Sequence, residues 1–128
     1  MPGDNAATVA VGGDVDFPQD GAANGITRSS PSAIMLDQAG VYEVSWQVPV
    51  TEPGQLVLTL DGVELAHTVA GRATGTTQIA NHVLIAVPGA FSILSVRNPA
   101  SNSTALTITP FAGGTLPVSA SLVIKQVE

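Results

Sequence analysis

The chain has no cysteine. Disulfides, Cys-based zinc sites and cysteine nucleophiles are therefore excluded, and thiols give no reading of the redox compartment. Charge is scarce as well: only 11% of residues are charged, against roughly a quarter in typical soluble domains. Cations are scarcest, with four Lys and Arg against ten Asp and Glu and a formal net charge of −6. Arg28, Arg72, Arg97 and Lys125 are scattered singly along the chain. A nucleic-acid partner needs clustered basic residues to neutralise phosphates, so no nucleic acid is expected. An anionic membrane surface is disfavoured for the same reason. No apolar run approaches the roughly 18 residues needed to span a bilayer. The opening residues, Met1-Pro2-Gly3-Asp4-Asn5, carry neither the basic nor the apolar part of a secretory leader.

Helix signals are nearly missing too. No stretch of a dozen residues keeps an apolar i, i+3, i+4 stripe free of Gly, Pro or β-branched residues. What the chain does have is 45% hydrophobic residues, mainly Val, Ala, Leu and Ile, over a length of 128 residues. That length suits one domain with a substantial core. So few charges beside so much aliphatic side chain implies neutral or apolar surface, which often marks a subunit interface.

Alternating or aliphatic runs bounded by turn residues occur throughout, at 8–11, 15–17, 33–36, 41–50, 55–60, 63–69, 78–87, 91–96, 104–109 and 118–127. Residues 18–32 read as a long polar connection. Tyr42, Val44, Trp46 and Val48 share one face of their strand and should point into the core. Leu56, Leu58 and Leu60 do the same on the next. Thr51-Glu52-Pro53-Gly54 reads as a type II turn, and Asp61-Gly62 as a two-residue hairpin whose residues take positive φ. About ten strands with turns at such spacing indicate an all-β sandwich or barrel. No fixed-period repeat points to a solenoid or propeller.

Several segments, in order, resemble a known family. Ala39-Gly40-Val41-Tyr42-Glu43-Val44-Ser45 is similar to a strand of the tumour-necrosis-factor-like and complement-head jelly rolls. The run 54–65 (GQLVLTLDGVEL), the loop 71–78 (GRATGTTQ), and the segments 94–98 (LSVRN), 105–108 (ALTI), 112–115 (AGGT) and 118–124 (VSASLVI) resemble the C-terminal domain of bacterial collagen-like surface proteins of the BclA-type exosporium family. The resemblance covers about residues 8–127. It implies an antiparallel jelly-roll β-sandwich in a homotrimer, the structural head that aligns the three chains of a collagen-like stalk at an extracellular or spore surface. A collagen triple helix needs three chains in register, and a trimeric head raises their effective concentration. No Gly-X-Y repeat is present. Residues 1–7 read as an N-terminal tail, either the junction to such a stalk or a remnant of expression, and 8–128 as the trimerisation domain. The alternative is a glycan- or receptor-binding jelly roll on a spore, phage fibre or cell surface, with its sites in the loops 18–32, 71–77 and 110–117.

Residues that could carry chemistry are few. His67 and His82 are the only histidines, and no Gly-x-Ser-x-Gly elbow accompanies them, so they read as strand histidines, exposed or hydrogen-bonded at an interface. Asp14, Asp16 and Asp20 alternate as hard-oxygen ligands for calcium would, but lack the remaining ligands of an EF-hand and read as a solvated loop. Glu43, Glu52 and Glu64 are spread over separate strands and turns, with no spacing that demands a facing pair. Asn102-Ser103-Thr104 is a formal glycosylation sequon and reads as incidental. The aromatics Phe17, Tyr42, Trp46, Phe91 and Phe111 read as core. No catalytic residue, cofactor or enzymatic activity is expected. For the trimer contact, the expected residues are Ile79, Val83, Ile85, Val123 and Val127, taken as outward-facing aliphatics of the two long strands.

Overall fold

The computed structural model describes residues 8–17, 26–30, 32–73, 77–101, 105–109 and 120–127. The described chain is all-β: antiparallel strands in a sandwich-like arrangement, with a single 3-10 turn at Ala66–Thr68. The strands are β1 (Thr8–Val9), β2 (Ile26–Ser30), β3 (Ala33–Leu36), β4 (Gly40–Val50), β5 (Gly54–Leu60), β6 (Val63–Glu64), β7 (Ala70–Arg72), β8 (Thr77–Val87), β9 (Ser92–Arg97), β10 (Leu106–Thr107) and β11 (Ser121–Gln126).

One sheet has the order β11-β4-β8. The other runs β2-β3-β9-β5-β6, with β7 also pairing β5. The short pair β1-β10 is tied to the end of β4 by a bridge between Val50 and Ile108 and by hydrogen bonds from Thr51 N to Thr107 O and from Thr109 N to Pro49 O. β10 thus continues the edge of β4 where β11 leaves off.

The alternation read from the sequence dictates the core. Tyr42, Val44, Trp46 and Val48 from β4 are all buried, as are Leu56 and Leu58 of β5. They meet Leu36 of β3, Leu94 and Val96 of β9 and Leu106 and Ile108 from the β10 edge in one continuous cluster. Burying a side chain of this kind contributes about 1.5–3 kcal/mol, so this cluster holds the two sheets together. Tyr42 is satisfied in it because its hydroxyl donates to Gln38 O at 2.7 Å. β5 is buried on both faces, and on its second face Thr59 and Ser95 hydrogen-bond to each other through their hydroxyls.

Three readings of the chain need correcting. The segment 18–32 is not one long connection, since Ile26–Ser30 is a strand paired with β3. The return from the Asp61-Gly62 hairpin is only two residues of β6, followed by the 3-10 turn. Gly54 has no positive φ of the kind a type II turn demands: it opens β5, and a Cβ there would lie 2.6 Å from Leu106 Cδ2. Its role is to let β5 approach the core leucine of β10.

The N-terminal segment is stitched to β9. Gly12 N donates to Asn98 O, Asn98 N to Gly13 O, and Val15 N to Val96 O. These bonds extend the β9 ladder past the end of β3 and bury Val15 and Phe17 in the core.

Candidate functional site

The register between β4 and β8 decides which side chains can face a partner. Directly opposed residues share a face of the sheet. Val48 lies opposite Ile79, Val44 opposite Val83, and Tyr42 opposite Ile85. Because the β4 residues point into the sandwich, so do their partners. Ile79 and Ile85 are 1% and 2% exposed, and Val83 is partly buried against the same core. As exposed contact residues these three are therefore corrected: they belong to the core side of β8. Val123 and Val127 stay on the other side, 60% and 42% exposed.

The outer face is made by the alternate residues. β8 supplies Ala80, His82, Leu84 and Ala86, β4 supplies Val41, Glu43, Ser45 and Gln47, and β11 supplies Ser121, Val123 and Lys125. Leu84, 58% exposed, is the large hydrophobic among these on β8. The face is mostly aliphatic, small or neutral. Its ionisable groups are Glu43, His82 and Lys125. His82 Nε2 and Glu43 Oε1 are 2.9 Å apart, both side chains well exposed. Beside them is a shallow open depression of about 460 Å³, lined by Ser45, Trp46, Gln47, Ala80, Asn81, His82 and Ser121. Asn81 itself leaves β8 on the opposite side, where its Nδ2 donates to Thr68 O.

The sequence held a signal for this face that hydrophobicity alone hides. Between 79 and 87 the β-branched residues fall on the odd positions, while the even ones are Ala, His, Leu and Ala. β-Branched side chains suit a packed sheet face, so the odd side is the core side.

The remaining candidates are separated from this face. Asp14 is taken up by Arg97, whose Nε donates to Asp14 Oδ1 at 2.8 Å while Nη1 donates to Gly62 O. That hydrogen bond to Asp14 first, and the charges of Asp14 and Glu64 after it, raise the guanidinium above its ordinary value despite partial burial. A guanidinium on the carboxylate occupies the position a cation would need. Asp16 is exposed and Asp20 lies outside the described residues. Among the described residues no three His, Asp or Glu side chains form a group that could hold a metal. His67 is exposed on the 3-10 turn. Glu64 Oε2 accepts from Ala100 N. The loop 110–117, Phe111 and the sequon at Asn102 are also outside the described residues, as are 18–25 and 74–76 from the other two loops.

The aromatics divide. Phe17, Tyr42 and Trp46 are core, but Phe91 is 67% exposed and has φ of 58°, a conformation rarely taken by a bulky residue. It lies at the turn between β8 and β9, near the hairpin residue Asp61, whose Oδ1 accepts from Ile93 N. No family model matches the chain, and no curated protein matches it.

Proposed function

We propose that this chain is a jelly-roll head whose activity is self-assembly into a homotrimer, the structural tip of a collagen-like surface protein. The observation that carries the reading is the outer face of β11-β4-β8. A chain of formal charge −6 repels its own copies, so copies associate most readily where charge is balanced and apolar side chains are bare. That face has Leu84, Val123 and Val127 exposed among Ala, Val and Ser, with one carboxylate, one ammonium and one imidazole. A second copy of the chain is the occupant that fits it. The jelly roll is supported by the way the chain crosses between sheets: β3, β4 and β5 alternate sheets, and so do β8 and β9, as in Greek-key folds. The ordered motifs along the sequence support the stalk-head role.

The test is mass in solution. Light scattering across micromolar concentrations should give three times the chain mass, and Leu84→Lys with Val123→Lys should give a folded monomer. A monomeric parent chain would overturn the reading. The depression beside His82 favours a second reading, a glycan-binding module, because it is lined by hydroxyl, amide and imidazole groups. Glycan-array binding that survives in the monomeric variant, and is lost in Gln47→Ala with Ser121→Ala, would decide for it.

A further inference from the structure

The His82–Glu43 contact on the outer face bears on the assembly, and the inference rests on the homotrimer reading above. We propose that the His82–Glu43 pair makes self-association of this face proton-dependent, tightening it as pH falls from about 8 to about 6. Histidine is the side chain that ordinarily changes charge in this range. In a lone chain the pair is exposed, 63% for His82 and 41% for Glu43, and an exposed pair of this kind contributes little. A copy covering the face changes that. With the imidazole neutral, covering the pair strips water from a carboxylate whose contact at 2.9 Å carries no compensating charge. With it protonated, the group covered is a hydrogen-bonded pair of opposite charges, which is less costly to desolvate than a lone charge. Covering therefore favours the protonated form, and by linkage protons favour covering.

The surrounding charges set the sign. From β4 the facing group is Glu43 itself. From β11 it is Lys125, aligned with Glu43 in the register but exposed, and no ion pair joins the two among the described residues. β8 adds no other charge between Gln78 and Ala86. Arg72 is the charged residue of β7, and His67 belongs to the 3-10 turn, which β8 meets through Asn81 on its core side. A second copy brings the same three groups, His82, Glu43 and Lys125. Each proton taken up also lowers the overall negative charge of the chain, which acts in the same direction.

The experiment is sedimentation of the full chain over a dilution series at pH 8.0, 7.0 and 6.0, at fixed ionic strength and above the range where carboxylates titrate. The dissociation midpoint should fall about tenfold or more across the series, as it does for a trimer when covering the face raises the proton affinity of the one linked imidazole on each of its three chains about tenfold. His82→Gln should flatten the dependence. Glu43→Gln should reverse it, because the protonated imidazole is then the lone charge being covered. His67→Gln should leave it unchanged. Trp46 fluorescence checks that each variant is folded. Trimers with the same midpoint at all three pH values would overturn this inference and leave the homotrimer standing. A chain that stays monomeric at every pH would overturn both.

Discussion

Glu52, at the turn from β4 into β5, accepts two hydrogen bonds from one residue: Thr107 N donates to Oε1 at 2.7 Å and Thr107 Oγ1 to Oε2 at 2.8 Å. Desolvation pushes its carboxyl up. The bonds from Thr107 and from Thr51 outweigh that and hold it below the ordinary value of 4.5. A carboxyl depressed in the folded state adds stability that is complete above the unfolded value and is lost as pH falls through the folded one. Glutamine can still accept from Thr107 N and donate to Thr107 Oγ1, whose hydroxyl also accepts, but it lacks the negative charge that strengthens both bonds. Glu52→Gln should therefore cost about 1 kcal/mol at pH 7, the low end for a charge-assisted bond because the group is partly solvated. The difference from the parent should shrink below about pH 4. Urea unfolding at a fixed chain concentration, followed by the single tryptophan, Trp46, measures both. A cost that is unchanged at pH 3 would mean the carboxylate charge plays no part.

At the scale of elements, the hairpin between β5 and β6 was legible because its chemistry is local. Asp61 and Gly62 have φ of 52° and 84°, the geometry an Asp-Gly pair supplies between antiparallel strands. A Cβ at Gly62 would meet nothing within 4 Å, so the penalty for a side chain there is purely conformational. Gly62→Ala should cost about 1 kcal/mol, and Gly62→Asn clearly less, because Asn tolerates the left-handed region. Equal costs in thermal unfolding would show that crowding governs the turn. The strands of the core were legible for a similar reason: Tyr42, Val44, Trp46 and Val48 alternate with polar or small residues, so only one face can be the inside. Hydrophobicity does not make β8 legible, because Ile79, Val83 and Ile85 alternate with Ala80, Leu84 and Ala86, and only the β-branched side chains at the odd positions mark its core face. Its parity is set by pairing with β4, a contact far away in sequence. β2 was hidden by a polar composition, Thr-Arg-Ser-Ser after Ile26. Gly54 resembled a turn residue, and only the approach of Leu106 reveals why it is glycine. The His82–Glu43 pair could not be foreseen from spacing, since it joins residues on two strands through the same long-range register.

At the scale of the whole molecule, charge works against assembly. Acidic residues outnumber basic ones by ten to four, and the proposed contact face holds only Glu43 and Lys125 among them. The net repulsion between copies therefore comes from charges outside the contact, acting across solvent. Such forces are screened over a Debye length of about 30 Å at 0.01 M salt but only about 3 Å at 1 M. Apolar contact on the face is not weakened by the same salt. Association should therefore tighten as sodium chloride is raised from about 0.02 to 0.5 M at pH 8, read as a falling dissociation midpoint in sedimentation. The opposite trend would mean that copies are held by attraction between unlike charges. It would place the contact away from the neutral face of β11-β4-β8, at a surface where one copy's scattered cations meet another's carboxylates.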